Sequence, residues 1–208
     1  MMNAIVKLKN FAMVARSFSS KPSYEEIKIP LSWGHIAAKW WGPQDSRPIL
    51  VLHGWQDNCG SFDRLIPLLN QRRGYLAIDF PGHGLSSNLP LGTSYYWTDY
   101  VTTVRRVVQH FNWPKVSILG HSIGAAMGYY YELSYSREVD FLICIDALHP
   151  IMRDLNVISH GKAIDTILKY EQLIARGDEG PLYSKEELVE KLHSDSFASI
   201  DLNMCDIY

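Results

Sequence analysis

Residues 115–124, Lys-Val-Ser-Ile-Leu-Gly-His-Ser-Ile-Gly, constrain this chain more than any other stretch. The apolar run Val116 to Leu119 leads without a spacer into Gly120-His121-Ser122-Ile123-Gly124. A Gly-x-Ser-x-Gly pattern between a strand and a helix is the signature of a nucleophile elbow, a sharp turn that holds a serine in a strained backbone conformation. The positions two before and two after the serine must lack side chains so that strand and helix can approach, and Gly120 and Gly124 meet that demand. Small residues follow first, Ala125-Ala126-Met127-Gly128, and larger ones later, Tyr129-Tyr130-Tyr131, as expected of a helix packed closely on a sheet. Ser122 then stands just before a helix N-terminus, where free N–H groups and the dipole favour developing negative charge.

The rest of the chain supplies a sheet around that strand. Glu25 to Ile29 and Ser32 to Trp41 read as an opening antiparallel ribbon, punctuated by Pro30 and Gly42-Pro43. Pro48 to Leu52 is a continuous apolar run ending in His53-Gly54, the pattern of a buried parallel strand. Ser61 to Asn70 carries Phe62, Leu65, Ile66, Leu68 and Leu69 at helical spacing, and Gly74 to Asp79 is the next strand. A helix is expected over Trp97 to Phe111, with Val101, Val104, Val107 and Val108 on one side, and a further strand over Val139 to Asp146. Strands alternating with helices at these lengths argue for an α/β fold with a parallel sheet covered on both faces. Beyond Pro150 the pattern turns helical: Ile158 to Arg176 ends at Gly177, and Ser184-Lys185-Glu186-Glu187 forms a capping box that opens a helix toward His193. Helical insertions after parallel strands commonly serve as lids.

Composition excludes several classes. A chain of 208 residues, 47% hydrophobic and 20% charged, suits one core, and a net charge of -2 with no basic stripe argues against a nucleic-acid surface. Three irregularly spaced cysteines, Cys59, Cys144 and Cys205, suggest neither a disulfide framework nor a metal site. No histidine pair has His-Glu-x-x-His spacing, so no metal or cofactor is expected. No apolar run reaches the roughly 18 to 20 residues of a transmembrane helix. Residues 1–23 carry Lys7, Lys9, Arg16, Lys21 and four serines but no acid. They read either as a mitochondrial targeting segment or as a flexible arm. The expected location is intracellular, mitochondrial on that first reading and otherwise cytoplasmic or peroxisomal.

Three signatures stand in one order: His53-Gly54-Trp55, Asp79-Phe80-Pro81-Gly82-His83-Gly84 and Gly120-His121-Ser122-Ile123-Gly124, each after a strand. Together they resemble the α/β-hydrolase superfamily. The runs Trp33 to Lys39, Leu52 to Asn58 and Ser61 to Leu69 look like those of the serine hydrolase-like proteins within it. The resemblance implies an α/β-hydrolase core over 24–150, with helices on both faces of a mostly parallel sheet, and a helical lid over 151–208. It also implies that Ser122 is the nucleophile, with the backbone N–H groups of Ile123 and Trp55 forming the oxyanion hole. His53 and His83 read as structural residues that hold loops, and His121, beside the serine on a tight turn, points away from it. Tyr129 to Tyr131 and Trp40-Trp41 read as packing.

In this fold the triad runs Ser, then Asp or Glu, then His, with the histidine after the last strand of the sheet. After Ser122 the sequence offers one strand and then a helical region with no later strand, so we expect the base histidine and the C-terminal sheet strands to be missing. Asp146 ends the strand after the elbow, where relatives such as haloalkane dehalogenases supply the acid; it reads equally as a loop-starting aspartate. We therefore expect a serine hydrolase scaffold for an ester, thioester or related acyl bond, truncated at its C-terminus and weakly active or inactive. The alternative is a non-catalytic pseudoenzyme or truncated isoform that binds a ligand or, through an open sheet edge, a protein.

Overall fold

The apolar runs assemble into one six-stranded sheet of order β1-β2-β4-β3-β5-β6, formed by Tyr24–Leu31, Gly34–Trp41, Ile49–Leu52, Tyr75–Ile78, Val116–His121 and Val139–Ile145 for β1 to β6. The computed structural model of the chain describes residues 24–147 and, beyond them, 164–165, 168–169, 171–173, 175–177 and 183–195. The opening ribbon is antiparallel, with Tyr24 opposite Trp41 and Leu31 opposite Gly34, and β2 joins β4 antiparallel. From β4 onward the sheet is parallel. The expected α/β architecture is the one observed.

Helix α1, Trp97–His110, begins where the Asp99 carboxylate accepts the Tyr96 N–H at 2.8 Å, and it buries Tyr100, Val104, Val107 and Val108. Helix α2, Ile123–Ser134, buries Ala125, Ala126, Met127 and Tyr131. Both cover one sheet face, packing on Leu50, Leu52, Leu76, Ile78, Val116 and Ile118. Gly128 allows α2 this close approach, because a β carbon there would lie 2.7 Å from Leu142 Cδ1. Tyr131 is buried, as the packing reading of the tyrosine run expects, and Trp40 and Trp41 are core residues.

The other face departs from expectation. Instead of one helix over 61–70, two 3₁₀ turns, Cys59–Phe62 and Ile66–Leu68, lay Cys59, Phe62 and Ile66 against Ile49, Val51, Tyr75 and Leu119. Pro67 explains the break, since it lacks an N–H and its ring clashes with the carbonyl four residues back in a continuous α-helix. Phe62, Leu65 and Ile66 still turn inward, so the apolar spacing was met by a different backbone.

At the N-terminal ends of the parallel strands, Arg47 and Lys115, just before β3 and β5, both pair with Asp140 of β6, Lys115 at 3.5 Å. Arg105 of α1 pairs with Glu138 and donates to Tyr131 Oη at 3.1 Å, tying α1 to the turn before β6. Beyond the sheet, helix α3, Lys185–Asp195, starts with the expected box: Ser184 N–H donates to Glu187 Oε2 at 2.7 Å and Glu187 N–H to Ser184 Oγ at 3.2 Å. The targeting reading of residues 1–23, the boundary at residue 150 and most of the lid lie outside the described residues. Among the described residues no helix is long and apolar enough to cross a membrane.

Candidate active site

Strand register brings the three signatures together. Leu52 pairs with both Ile78 and Gly120, and His121 with Ile145, so β3, β4, β5 and β6 end nearly level. The residues that follow, His53, Asp79, Ser122 and Asp146, therefore leave the sheet side by side. β3 connects onward to β4 on one side while β5 lies on the other, so the crevice between β3 and β5 is a switch point where α/β sheets bind ligands.

Ser122 sits at the β5–α2 junction with φ 50° and ψ -115°, a conformation costing on the order of 1–3 kcal/mol in a non-glycine residue. The surroundings hold it there. Its N–H donates to Ile145 O at 2.9 Å, and its carbonyl accepts from Ala126 N–H at 3.1 Å. A β carbon on Gly120 would lie 2.5 Å from the Ala125 backbone nitrogen, and one on Gly124 would lie 2.3 Å from Leu52 O. The spacing read from sequence thus has a steric origin on both sides of the turn.

The β3 loop lies against this elbow. A β carbon on Gly54 would be 3.6 Å from Ser122 Cβ and 3.0 Å from His121 Nδ1, so the two turns lie in close contact and a side chain here would press on the His121 ring. Trp55 follows with an exposed indole, and Gln56 is left-handed at φ 57°. Among the described residues, no acceptor meets the backbone N–H of Trp55 or of Ile123. The two donors expected from the sequence are unengaged on the two turns that touch.

His53 is fully buried and both ring nitrogens are used. Nε2 accepts the Phe80 N–H at 2.9 Å, which leaves the proton on Nδ1, donated to Gly54 O at 2.7 Å. Burial lowers its pKa to about 4, against a smaller opposing pull from the Gly54 hydrogen bond. The ring is neutral and fixed, in line with the structural role expected of it. Between pH about 6.5 and about 4 the unfolded chain takes up a proton that folded His53 refuses, so stability falls as pH drops through this window. The full shift is worth about 3 kcal/mol, present above pH about 6.5 and lost by about 4. In urea unfolding from pH 7 to 4, the stability gap between the parent and His53→Gln is expected to close by about that amount. A gap independent of pH would remove this assignment.

His83 also uses both nitrogens, Nδ1 with Pro81 O at 3.1 Å and Nε2 with the Gln56 N–H at 3.2 Å. Asp79, buried at the end of β4, accepts the Cys59 N–H at 2.7 Å and the Leu85 N–H at 2.8 Å, tying the β3 and β4 loops together. Neither Asp79 as a loop anchor nor Gln56 as a left-handed residue was anticipated. The signal for the first was an acid closing an apolar strand before Pro81-Gly82; nothing in the sequence marked the second. The buried Cys59 is no rival nucleophile, because desolvation and then the Asp79 charge push its thiol pKa up.

Asp146 follows β6 with φ 72° and an exposed side chain, next to the carbonyl that holds Ser122. Among the described residues no side chain hydrogen-bonds Ser122 Oγ, and no group of three or more His, Cys, Asp or Glu has metal-site geometry. His149 and His160 lie outside the described residues.

Comparison with known proteins adds the family. The family profile described as alpha/beta hydrolase fold matches residues 47–178. A probable serine hydrolase of Drosophila melanogaster is 45% identical over 183 residues, covering 86% of this chain and 54% of the relative. The human serine hydrolase-like protein 2 is 42% identical, covering 80% of this chain and 54% of the relative. The chain thus spans about half the length of these curated relatives. A hypothetical protein of Pseudomonas aeruginosa superposes with a TM-score of 0.73 at 33% identity over 88% of this chain and 64% of its own. A thioesterase domain from the curacin biosynthetic pathway shares the fold at a TM-score of 0.70 and 21% identity, over 89% of this chain and 66% of its own.

Proposed function

Because the chain belongs to the α/β-hydrolase family and is similar to its serine hydrolase-like members, we propose that it is built to cleave an ester, thioester or related acyl bond through a covalent acyl-enzyme on Ser122. The observation that carries this reading is the strained Ser122 conformation, locked by Gly120 and Gly124 beside a β3 loop whose Trp55 N–H has no acceptor among the described residues. Strain of this kind persists only where surroundings enforce it, and it lifts the hydroxyl clear of the sheet edge.

In the proposed reaction Ser122 Oγ attacks the acyl carbon as its proton passes to a base. Charge collecting on the carbonyl oxygen is met by the Ile123 N–H at the α2 N-terminus and by the Trp55 N–H across the crevice. Collapse expels the alcohol or thiol and leaves the acyl group on Ser122; water then repeats the sequence and releases the acid. His53 and His83 do not serve as the base, since each holds its two nitrogens on backbone groups. Asp146 is the candidate acid on the β6 end, and among the described residues no side chain stands on Ser122 Oγ as the base.

A second reading, a non-catalytic binding protein, is favoured by the absence, among the described residues, of any partner on Ser122 Oγ. It is also favoured by Phe141, Ile143 and Ile145, exposed on β6 at the edge of the described sheet. A fluorophosphonate probe separates the two. Covalent labelling lost in Ser122→Ala, with unchanged melting, is expected for the hydrolase; folded protein that never labels supports the binding reading.

A further inference from the structure

The geometry points to His83 as a positioning residue for the oxyanion hole: its Nε2 holds the peptide after Trp55, fixing the Trp55 N–H toward Ser122. This rests on the proposed role of that N–H. A trans peptide is planar, so the Gly54 C=O and the Trp55 N–H lie in one plane and point opposite ways. His53 Nδ1 donates to that carbonyl at 2.7 Å and the Asp57 N–H does so at 3.3 Å, which draws the oxygen toward the protein interior. The Trp55 N–H is thereby turned outward.

The Asp57 half of that hold closes across Trp55 and Gln56, so rotation about their dihedrals would undo it. The next plane removes that rotation, because the Gln56 N–H is donated to His83 Nε2 at 3.2 Å. The hold works against a restoring tendency: Gln56 has a β carbon yet sits at φ 57°, a left-handed conformation costing roughly 1–2 kcal/mol. Without an acceptor for its N–H the turn would relax toward commoner dihedrals and draw the Asp57 N–H off the Gly54 carbonyl, loosening the plane that carries the Trp55 N–H. His83 can accept there only because its proton is on Nδ1, and Pro81 O at 3.1 Å keeps it there. The Trp55 indole also rests edge-on against the His83 ring, centroids 5.9 Å apart. The two histidines thus hold the peptides on either side of Trp55, one from the end of β3 and one from the β4 loop.

The test compares full-length His83→Ala and His83→Gln, the latter offering an amide oxygen to the Gln56 N–H. The second-order rate of Ser122 labelling by the fluorophosphonate is expected to fall about 10- to 100-fold in His83→Ala, short of the loss for deleting a donor outright. His83→Gln should recover most of it although the two variants melt at similar temperatures. A general structural role would make labelling follow melting temperature instead. Labelling at the parent rate in His83→Ala, or equal losses in both variants, would overturn the assignment. If the parent never labels, the hydrolase reading itself has failed, and amide hydrogen exchange decides the clamp. Exchange at Gln56 should then be at least about tenfold faster in His83→Ala and slow again in His83→Gln; unchanged exchange overturns it.

Discussion

Gly124→Ala is expected to cost at least about 4 kcal/mol, a loss large enough to unfold many domains of this size. The added methyl would sit 2.3 Å from Leu52 O and 2.6 Å from His53 O. Both are backbone atoms at the end of β3 and just past it, so no side chain can swing aside to relieve the clash. Either α2 lifts from the sheet, losing the burial of Ala126, Met127 and Tyr131, or β3 is displaced and drags the Trp55 loop with it. Gly92→Ala is the matched comparison, because Gly92 has φ 82° but nothing within 4 Å of an added methyl. It should cost only the backbone penalty of about 1 kcal/mol. Urea unfolding of the two variants checks the difference, and similar midpoints would mean that the contact between α2 and β3 yields more easily than packed backbone should.

The second large effect is expected at Asp79. Replacing it with alanine removes the acceptor for both the Cys59 and the Leu85 N–H groups, each an ionic hydrogen bond within the loops beside the site. Leaving the buried Cys59 N–H without a partner costs about 1–3 kcal/mol, and the part-buried Leu85 N–H adds less because water can reach it, so the pair predicts roughly 2–4 kcal/mol. Asp79→Asn separates charge from shape. Its one amide oxygen can serve one of the two N–H groups while its NH2 faces the other, so it should recover about half the loss. Denaturant midpoints test the order parent, Asn, Ala; an asparagine variant as stable as the parent would show that the negative charge adds nothing.

Much of this arrangement could be read from the residues themselves. Runs such as Ile49 to Leu52 and Val116 to Leu119 are apolar throughout because both sheet faces are covered, and Gly120 and Gly124 announce a close approach that was then found against Ala125 and Leu52. Ser122, Ile123 and Trp55 fall on the two touching turns. What stayed hidden depended on partners far away in the chain. The Gln56 N–H meets His83 27 residues on, and Asp79 reaches back 20 residues to Cys59, distances at which no periodicity operates. Residues 61–70 misled because Phe62, Leu65 and Ile66 need only face inward, which 3₁₀ turns around Pro67 achieve as well as a helix. Asp146 shows the limit from the other side. Its place after β6 follows from the apolar run, but its left-handed φ and the Ile145 O that binds Ser122 N–H come from a register set by β5.

The ion pairs at the N-terminal ends of the parallel strands have a mechanical consequence. Arg47, Lys115 and Asp140 brace β3, β5 and β6 at the end opposite Ser122. Cohesion and the proposed chemistry thus fall at different ends of the same strands. The loops around Ser122 can therefore be altered without touching the bracing. That separation lets one architecture carry many specificities.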